Sequence, residues 1–282
     1  MGAGVGPLVV GGMALCAISF GGSVVLMTDD LASVFEAEYL QPDSAVEAEV
    51  LREVLGDEYP DGLAINSFVS RTELARIVEV VAAAGTQTLV DVGCGRGGPG
   101  MWVATATGSR LVGIDIAASA VAAASQAARK LGIDDRCVFR EGSFGELPLD
   151  DGEADAVMSV DALLFAPDKE AAVLESHRVL RPGGVLVFTS WDYRSQPPGR
   201  PPQVSDHRPI LEASGFAVEQ YDETQSWRER EDRTIAGLLA AVSDLAAESG
   251  DDEASIRKSI EAMEATTSHI IRRVLVVANR TR

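Results

Sequence analysis

The sequence predicts a doubly wound α/β fold around a mostly parallel sheet, and three observations carry that reading. Residues 88–92 form a short apolar β-run that breaks into a glycine cluster at 93–100, with Pro99 where a helix can start. This run is the first of seven of strand length, and helical stretches are interleaved with them, the pattern of repeated β-α units. Asp115 closes the second run, at about the spacing of twenty residues from the glycines that a doubly wound nucleotide site needs.

Length and composition bound the rest. The 282 residues suffice for one full core with a helical lid. A formal net charge of -19 repels phosphate backbones and anionic membranes, so a small-molecule substrate is expected and nucleic acid is not. Cys16, Cys94 and Cys137 are odd in number and widely spaced, which reads as reduced thiols in a cytoplasmic protein without a zinc site or any other metal.

The chain divides into an apolar extension at 1–27, a helical region at 28–84 and a main domain at 85–282 with an inserted lid at about 223–270. Residues 7–27 are long enough to cross a bilayer, yet they are diluted by glycine, and the first basic residue of the chain is Arg52. Three readings stand for this segment: an upstream extension with the working start at Met27, a membrane anchor, or a cleaved signal. Membrane association is expected only if it is a real anchor.

In the helical region, Leu31, Val34 and Phe35 open one amphipathic stretch. Leu74, Ile77, Val78 and Val81 follow Ser70, a good N-cap, at three-and-four spacing. The connector at 65–69 brings Ser67 and Phe68 either over the mouth of the site or simply onto the sheet.

Beyond the glycine loop, residues 101–106 continue the first helix and 111–116 form the second strand. Asp115 is placed to accept hydrogen bonds from both hydroxyls of a ribose, the alternative being a cap for the helix that follows. An alanine-rich helix runs to Leu131, Gly132 stops it, and Cys137 opens the third strand. The fourth strand is 154–160 and the fifth 185–189. Between them a helix ends in Arg181-Pro182-Gly183-Gly184, a sharp turn with cations near a helix C-terminus and glycine for positive φ. A proline-rich loop at 191–208 and a short helix lead to the sixth strand from Phe216, then two helical stretches at 228–249 and 252–268 precede the seventh at 273–278. Those two helices read as a lid over the substrate or as the surface of a homodimer.

The glycine loop fits two cofactor classes. Gly93, Gly95 and Gly98 satisfy the dinucleotide pattern G-x-G-x-x-G, and a strand that stops in such a loop leaves N–H groups pointing outward for a ligand to lie on. Asp91, two residues before the first glycine, would repel a pyrophosphate and attract an ammonium or sulfonium; the competing role is to cap the loop's own N–H groups. Asp91, Gly93, Gly95 and Gly97 match, position for position, the first motif of the Rossmann-like (class I) S-adenosylmethionine-dependent methyltransferases, and the chain resembles the small-molecule members of that class.

The resemblance covers roughly residues 84–278. It implies S-adenosyl-L-methionine as cofactor and a seventh strand running antiparallel beside the sixth. It implies cofactor contacts from Asp91, Gly93, Cys94, Gly95, Gly97, Asp115 and Ile116, the last flanking the adenine. Residues 142–149 resemble the family's G-D-A-x-x-L-P-F segment, but Ser143 stands in place of the aspartate and Phe144 in place of the small residue, so adenine contacts here fall to a hydroxyl and a ring. Asp161 would sit under the sulfonium. Many relatives carry histidines where Leu164 and Phe165 stand, so no general base is assigned. His207 is the best histidine candidate, ahead of His177 and His269, with Asp161, Asp192 and Tyr193 as further options.

Methyl transfer to a small organic acceptor is therefore expected, with oxygen of a hydrophobic secondary metabolite such as a polyketide favoured over nitrogen or carbon, which stay open as acceptor atoms. Two rivals remain: a nicotinamide-dependent oxidoreductase, and a cofactor-binding fold without methyl transfer that serves as a cyclase or scaffold.

Overall fold

The computed structural model describes residues 31–63 and 67–281, and the backbone of a two-residue ladder between Ser19–Phe20 and Ser23–Val24. The readings of 1–27 and the state of Cys16 lie outside the residues whose side chains are described. Among the described residues no helix is long and apolar enough to cross a membrane.

Seven strands form one sheet: β1 (Thr88–Val92), β2 (Arg110–Asp115), β3 (Cys137–Glu141), β4 (Ala154–Val160), β5 (Leu180–Tyr193), β6 (Phe216–Glu223) and β7 (Ile270–Arg280). Their spatial order is β3-β2-β1-β4-β5-β7-β6. The pairs from β3 to β5 are parallel, whereas β7 pairs antiparallel with both β5 and β6. The expected reversal of the seventh strand is present. Between β1 and β4 the winding changes direction, which leaves a crevice at their carboxyl ends.

Central strands buried on both faces read as apolar runs, and each face carries its own helices. On one face Leu74, Ile77 and Val81 of α3 (Arg71–Ala83) and Met101, Val103 and Ala104 of α4 (Gly98–Thr107) pack on Leu89, Met158 and Val187. Ala128 of α5 (Ala118–Leu131) joins the same face beside Leu111. On the other, Ala172, Val173 and Val179 of α6 (Lys169–Val179) and Leu211 of α7 (Arg208–Ala213) pack on Val90, Ile114, Val157 and Phe188. Helix α3 thus belongs to the sheet layer, although it precedes residue 85.

That helix starts where the sequence says it should. Ser70 accepts the Glu73 N–H at 3.2 Å and Glu73 accepts the Ser70 N–H at 3.0 Å, a complete capping box. Arg181-Pro182-Gly183-Gly184 differs from the expected free turn. Leu180 already pairs with Ala154 and Val185 pairs with Ala156, so the four residues bulge out within β5, with Gly183 at φ +76°. The bulge is held by Arg181, which pairs with Asp155 and donates to Ala84 O at 3.2 Å.

The remaining helices form a layer of their own. The first inserted stretch is two helices, α8 (Trp227–Ala240) and α9 (Val242–Ser249), followed by α10 (Glu253–Thr267). Ile235, Leu238, Leu245, Ile256, Ile260 and Met263 make a separate core, closed by Val46 and Val50 of α2 (Ala45–Leu55). Arg233 donates to Val54 O and Ser44 to Glu248, so the insertion is bonded to the N-terminal helices.

Candidate active site

A cavity of about 510 Å³ opens at the β1–β4 crevice. Every cofactor-site residue expected from the sequence lines it, apart from Gly97. Gly97 is instead the left-handed N-cap of α4 at φ +81°, where a Cβ would meet Phe139 at 3.1 Å and Ala124 at 3.2 Å. Its contribution is to turn the chain into the helix and let α4 approach β3 and α5.

Four N–H groups of the glycine loop turn into the protein and not outward. Gly93 and Cys94 N–H both donate to Ile114 O, at 2.8 and 3.0 Å, and Gly97 N–H donates to Cys94 O at 2.8 Å. Gly95 N–H donates to Asp115 Oδ2 at 2.8 Å. With these four donors used inside the protein and Asp91 and Asp115 on the cavity wall, the loop disfavours a pyrophosphate.

The two carboxylates shape the electrostatics. Asp91 is 2 % exposed, and its Oδ2 has no hydrogen bond of good geometry among the described residues. Burial, then the nearby Asp115 charge, push it up to about 7, against a smaller lowering by the Gly100 N–H. That weak contact is what remains of the expected capping role. Asp115 is also raised by burial, while N–H donors from Ala117 and Gly95 pull it back. Its Oδ1 accepts the Ala117 N–H at 3.1 Å, so it caps the start of α5 and still keeps acceptor capacity toward the cavity. Two acids that disfavour each other's charge fit a cationic ligand, which relieves both.

Asp161 lines the cavity, and its carboxylate is held by protein groups. Oδ1 accepts from Thr189 Oγ1 at 2.6 Å, Oδ2 from Phe68 N–H at 3.0 Å, and both from Arg273 Nη2 at 2.9 and 3.0 Å. Arg273 also pairs with Glu73 and donates to Thr224 Oγ1 at 3.0 Å. The carboxylate is committed to a buried ion network, on a residue whose backbone is left-handed at φ +52°. Phe68 is thereby fixed onto the sheet end, and Ser67 beside it lines the cavity.

The base candidates lie elsewhere. His207 is 2 % exposed and bonded through Nδ1 to Asp192 at 3.0 Å, in a cluster with Tyr221 and Arg272. His269 contacts Ser195 Oγ at 2.8 Å, His177 packs edge-on against Phe216, and Tyr193 is buried. Among the described residues no histidine or lysine lines the cavity. Lys169, next to it in sequence, is turned inward: it donates to Leu164 O and Ala166 O at 3.0 and 2.9 Å, and burial with nearby Arg200 pushes it down to about 7.

One wall went unread in the sequence. Leu31, Phe35 and Tyr39 of α1 (Leu31–Tyr39) follow one another at four-residue spacing and all line the cavity. Phe35 meets Phe165 edge to face at 5.1 Å, so this helix closes the cavity against the loop after β4. Aromatic i, i+4 spacing was the available signal. By contrast no described residue of 227–267 lines the cavity; the inserted helices reach only a second, very small hollow through Trp227, Arg230 and Glu231.

Residues 90–188 match the profile of the methyltransferase domain family. The chain is similar to that family over this stretch, about a third of its length. Its sheet has the Rossmann-like methyltransferase topology rather than that of a dinucleotide dehydrogenase, whose sixth strand lies parallel beside the fifth. The domain is 37% identical over 122 residues to 24-methylenesterol C-methyltransferase 2 of Oryza sativa subsp. japonica, a match covering 43% of this chain and 34% of that one. It is 39% identical over 100 residues to 27-O-demethylrifamycin SV methyltransferase of Amycolatopsis mediterranei, covering 36% of this chain and 37% of that one. The matches thus span about a third of the length of these curated relatives. Among solved structures, the [4+2]-cyclase SpnF superposes with a TM-score of 0.66 at 22% identity, over 92% of this chain and 98% of that one.

Proposed function

We propose that this chain transfers a methyl group from S-adenosyl-L-methionine to an oxygen of a small, largely apolar secondary metabolite. The observation that carries the cofactor assignment is the loop itself: the N–H groups of Gly93, Cys94, Gly95 and Gly97 are consumed while Asp91 keeps a buried, unbonded carboxylate oxygen beside it. The residues fit the group. Asp91 answers the positive charge, Asp115 the ribose hydroxyls, and Ile116 and Phe144 offer apolar surface to the base.

When bound, the cofactor supplies both the methyl group and its own leaving thioether, so the protein's task is alignment and exclusion of water. Phe35 and Phe165 supply the apolar cover over the acceptor end. Asp161 holds that geometry without taking a proton, since both its oxygens are occupied. An acceptor oxygen acidic enough to lose its proton to solvent suits this site, as phenols and enols are. The sterol and rifamycin relatives carry the small-molecule reading, and the rifamycin relative carries the oxygen one.

A second reading is a cyclase that holds the same cofactor without consuming it. It is favoured by the fit to SpnF and by the absence of histidine and lysine from the described cavity wall. Mass spectrometry of reactions with candidate acceptors separates the two. Formation of S-adenosylhomocysteine in proportion to product supports methyl transfer; product without it overturns the proposal in favour of the cyclase.

A further inference from the structure

Tyr39, the last residue of α1, lies outside the matched stretch, and the geometry points to it as a second ligand of the cofactor's ribose. Its hydroxyl donates to the sugar from the side opposite Asp115. The inference rests on the cofactor reading above and adds a residue that the domain match does not contain.

The phenol oxygen stands over the glycine loop. A Cβ placed on Gly95 would lie 2.6 Å from Tyr39 Oη, and Gly95 is at φ +52°, so a side chain there is excluded by both contact and conformation. Gly95 is also the residue whose N–H bonds Asp115 Oδ2 at 2.8 Å. Phenol and carboxylate therefore flank the same loop residue at the edge of one cavity.

Their chemistry is complementary. An ionised carboxylate only accepts hydrogen bonds, whereas a ribose diol both donates and accepts. A diol held by Asp115 alone keeps unfilled lone pairs, and a neutral phenol supplies the missing donor. Burial first, and then the Asp115 charge, push the Tyr39 hydroxyl well above its ordinary range, which keeps its proton on.

The position is held before any ligand arrives. The Arg96 guanidinium lies over the Tyr39 ring at 5.4 Å, pairs with Asp43 at 2.7 Å and donates to Gln41 O at 2.6 Å. Glu36 accepts the Ser119 N–H at 2.9 Å and so ties α1 to the start of α5. Preset in this way, the hydroxyl loses little freedom when it bonds.

The test is Tyr39→Phe, titrated calorimetrically against wild type with S-adenosylhomocysteine and with methylthioadenosine, which keeps the ribose and lacks the amino acid. Loss of one hydrogen bond predicts roughly 3- to 10-fold weaker binding of both compounds, with the melting temperature of the free protein unchanged. Equal or tighter binding shows that the hydroxyl fills the site instead of serving it and overturns the assignment. A loss confined to S-adenosylhomocysteine overturns it as well, by placing the hydroxyl at the amino-acid end. Wild-type protein that binds neither compound overturns the cofactor reading, and this assignment falls with it.

Discussion

Asp91 and Asp115 do different work although both are acids ending strands at one loop. Asp115 bonds the Gly95 and Ala117 N–H groups and retains capacity for ribose hydroxyls, so Asp115→Ala removes charge-assisted bonds worth about 1.5–3 kcal/mol. Calorimetry is expected to show at least a tenfold loss of S-adenosylmethionine affinity, with unchanged binding counting against the site. Asp91 acts through charge. It sits near 7 in the free protein and is drawn into its ionised form by a cation, so binding takes up the cost of deprotonation as pH falls. Between pH 8 and pH 6, wild-type affinity relative to that of Asp91→Asn should drop by about tenfold, the change in ionised fraction across such a midpoint. Parallel pH profiles for the two proteins would show that Asp91 does not face the ligand's charge.

At the scale of elements, the cavity wall at Ser67 and Asp161 depends on a knot that ties α3, β4, β5 and β7 together. Arg273 bridges Glu73 and Asp161, and Asp161 in turn holds Thr189 and the Phe68 N–H. Arg273→Ala leaves two buried carboxylates without their cation, a change that costs about 3–5 kcal/mol when such a pair is broken. Urea unfolding should register that loss, and a shift below about 1 kcal/mol would mean that water replaces the guanidinium. The knot also marks the limit of what residue order conveys. Strand order, the capping box of α3 and the cavity positions of Asp91 and Asp115 follow from local pattern, since each depends on neighbours within a few residues or on the winding rule. The fates of Asp161 and His207 do not. Their partners Arg273 and Asp192 are 112 and 15 residues away, and nothing local says which acid a buried cation will choose. The wall formed by Leu31, Phe35 and Tyr39 was concealed for a related reason: an amphipathic stripe shows that a helix packs, not what it packs on.

Across the whole molecule, acidity is the dominant property, and it acts in opposite directions at different depths. Glu58, Glu73, Asp155, Glu175 and Asp206 are held below their ordinary range by hydrogen bonds and arginines. They stabilise the fold above the unfolded carboxylate range near 4 and lose that contribution only as pH falls through it. Asp91, Asp115, Asp161, Glu47 and Glu231 are raised, first of all by burial, with Glu47 further opposed by Glu38 and Glu248. For these the folded state binds protons more tightly than the unfolded one, so stability falls as pH rises from the unfolded value through the folded one. Between pH 5.5 and 8 Asp91 ionises and loses stability, Lys169, also near 7, and the lowered His177 titrate in the opposite sense, and the surface charge of -19 adds self-repulsion. Relative to Asp91→Asn, the ligand-free wild type should therefore melt several degrees lower at pH 8 than at pH 5.5. Screening distinguishes the two sources, because salt at about 0.5 M shortens the Debye length well below its value near 10 Å at 0.1 M and reaches exposed charges but not buried ones. Added salt should recover part of the deficit in wild type. Asp91→Asn should recover a separate part at any salt concentration, and S-adenosylmethionine should do so in wild type by compensating the buried charge. A wild-type melting temperature that does not fall relative to Asp91→Asn between pH 5.5 and 8 would show that Asp91 is paired in solution and that the loop carries no charge for a cation to relieve.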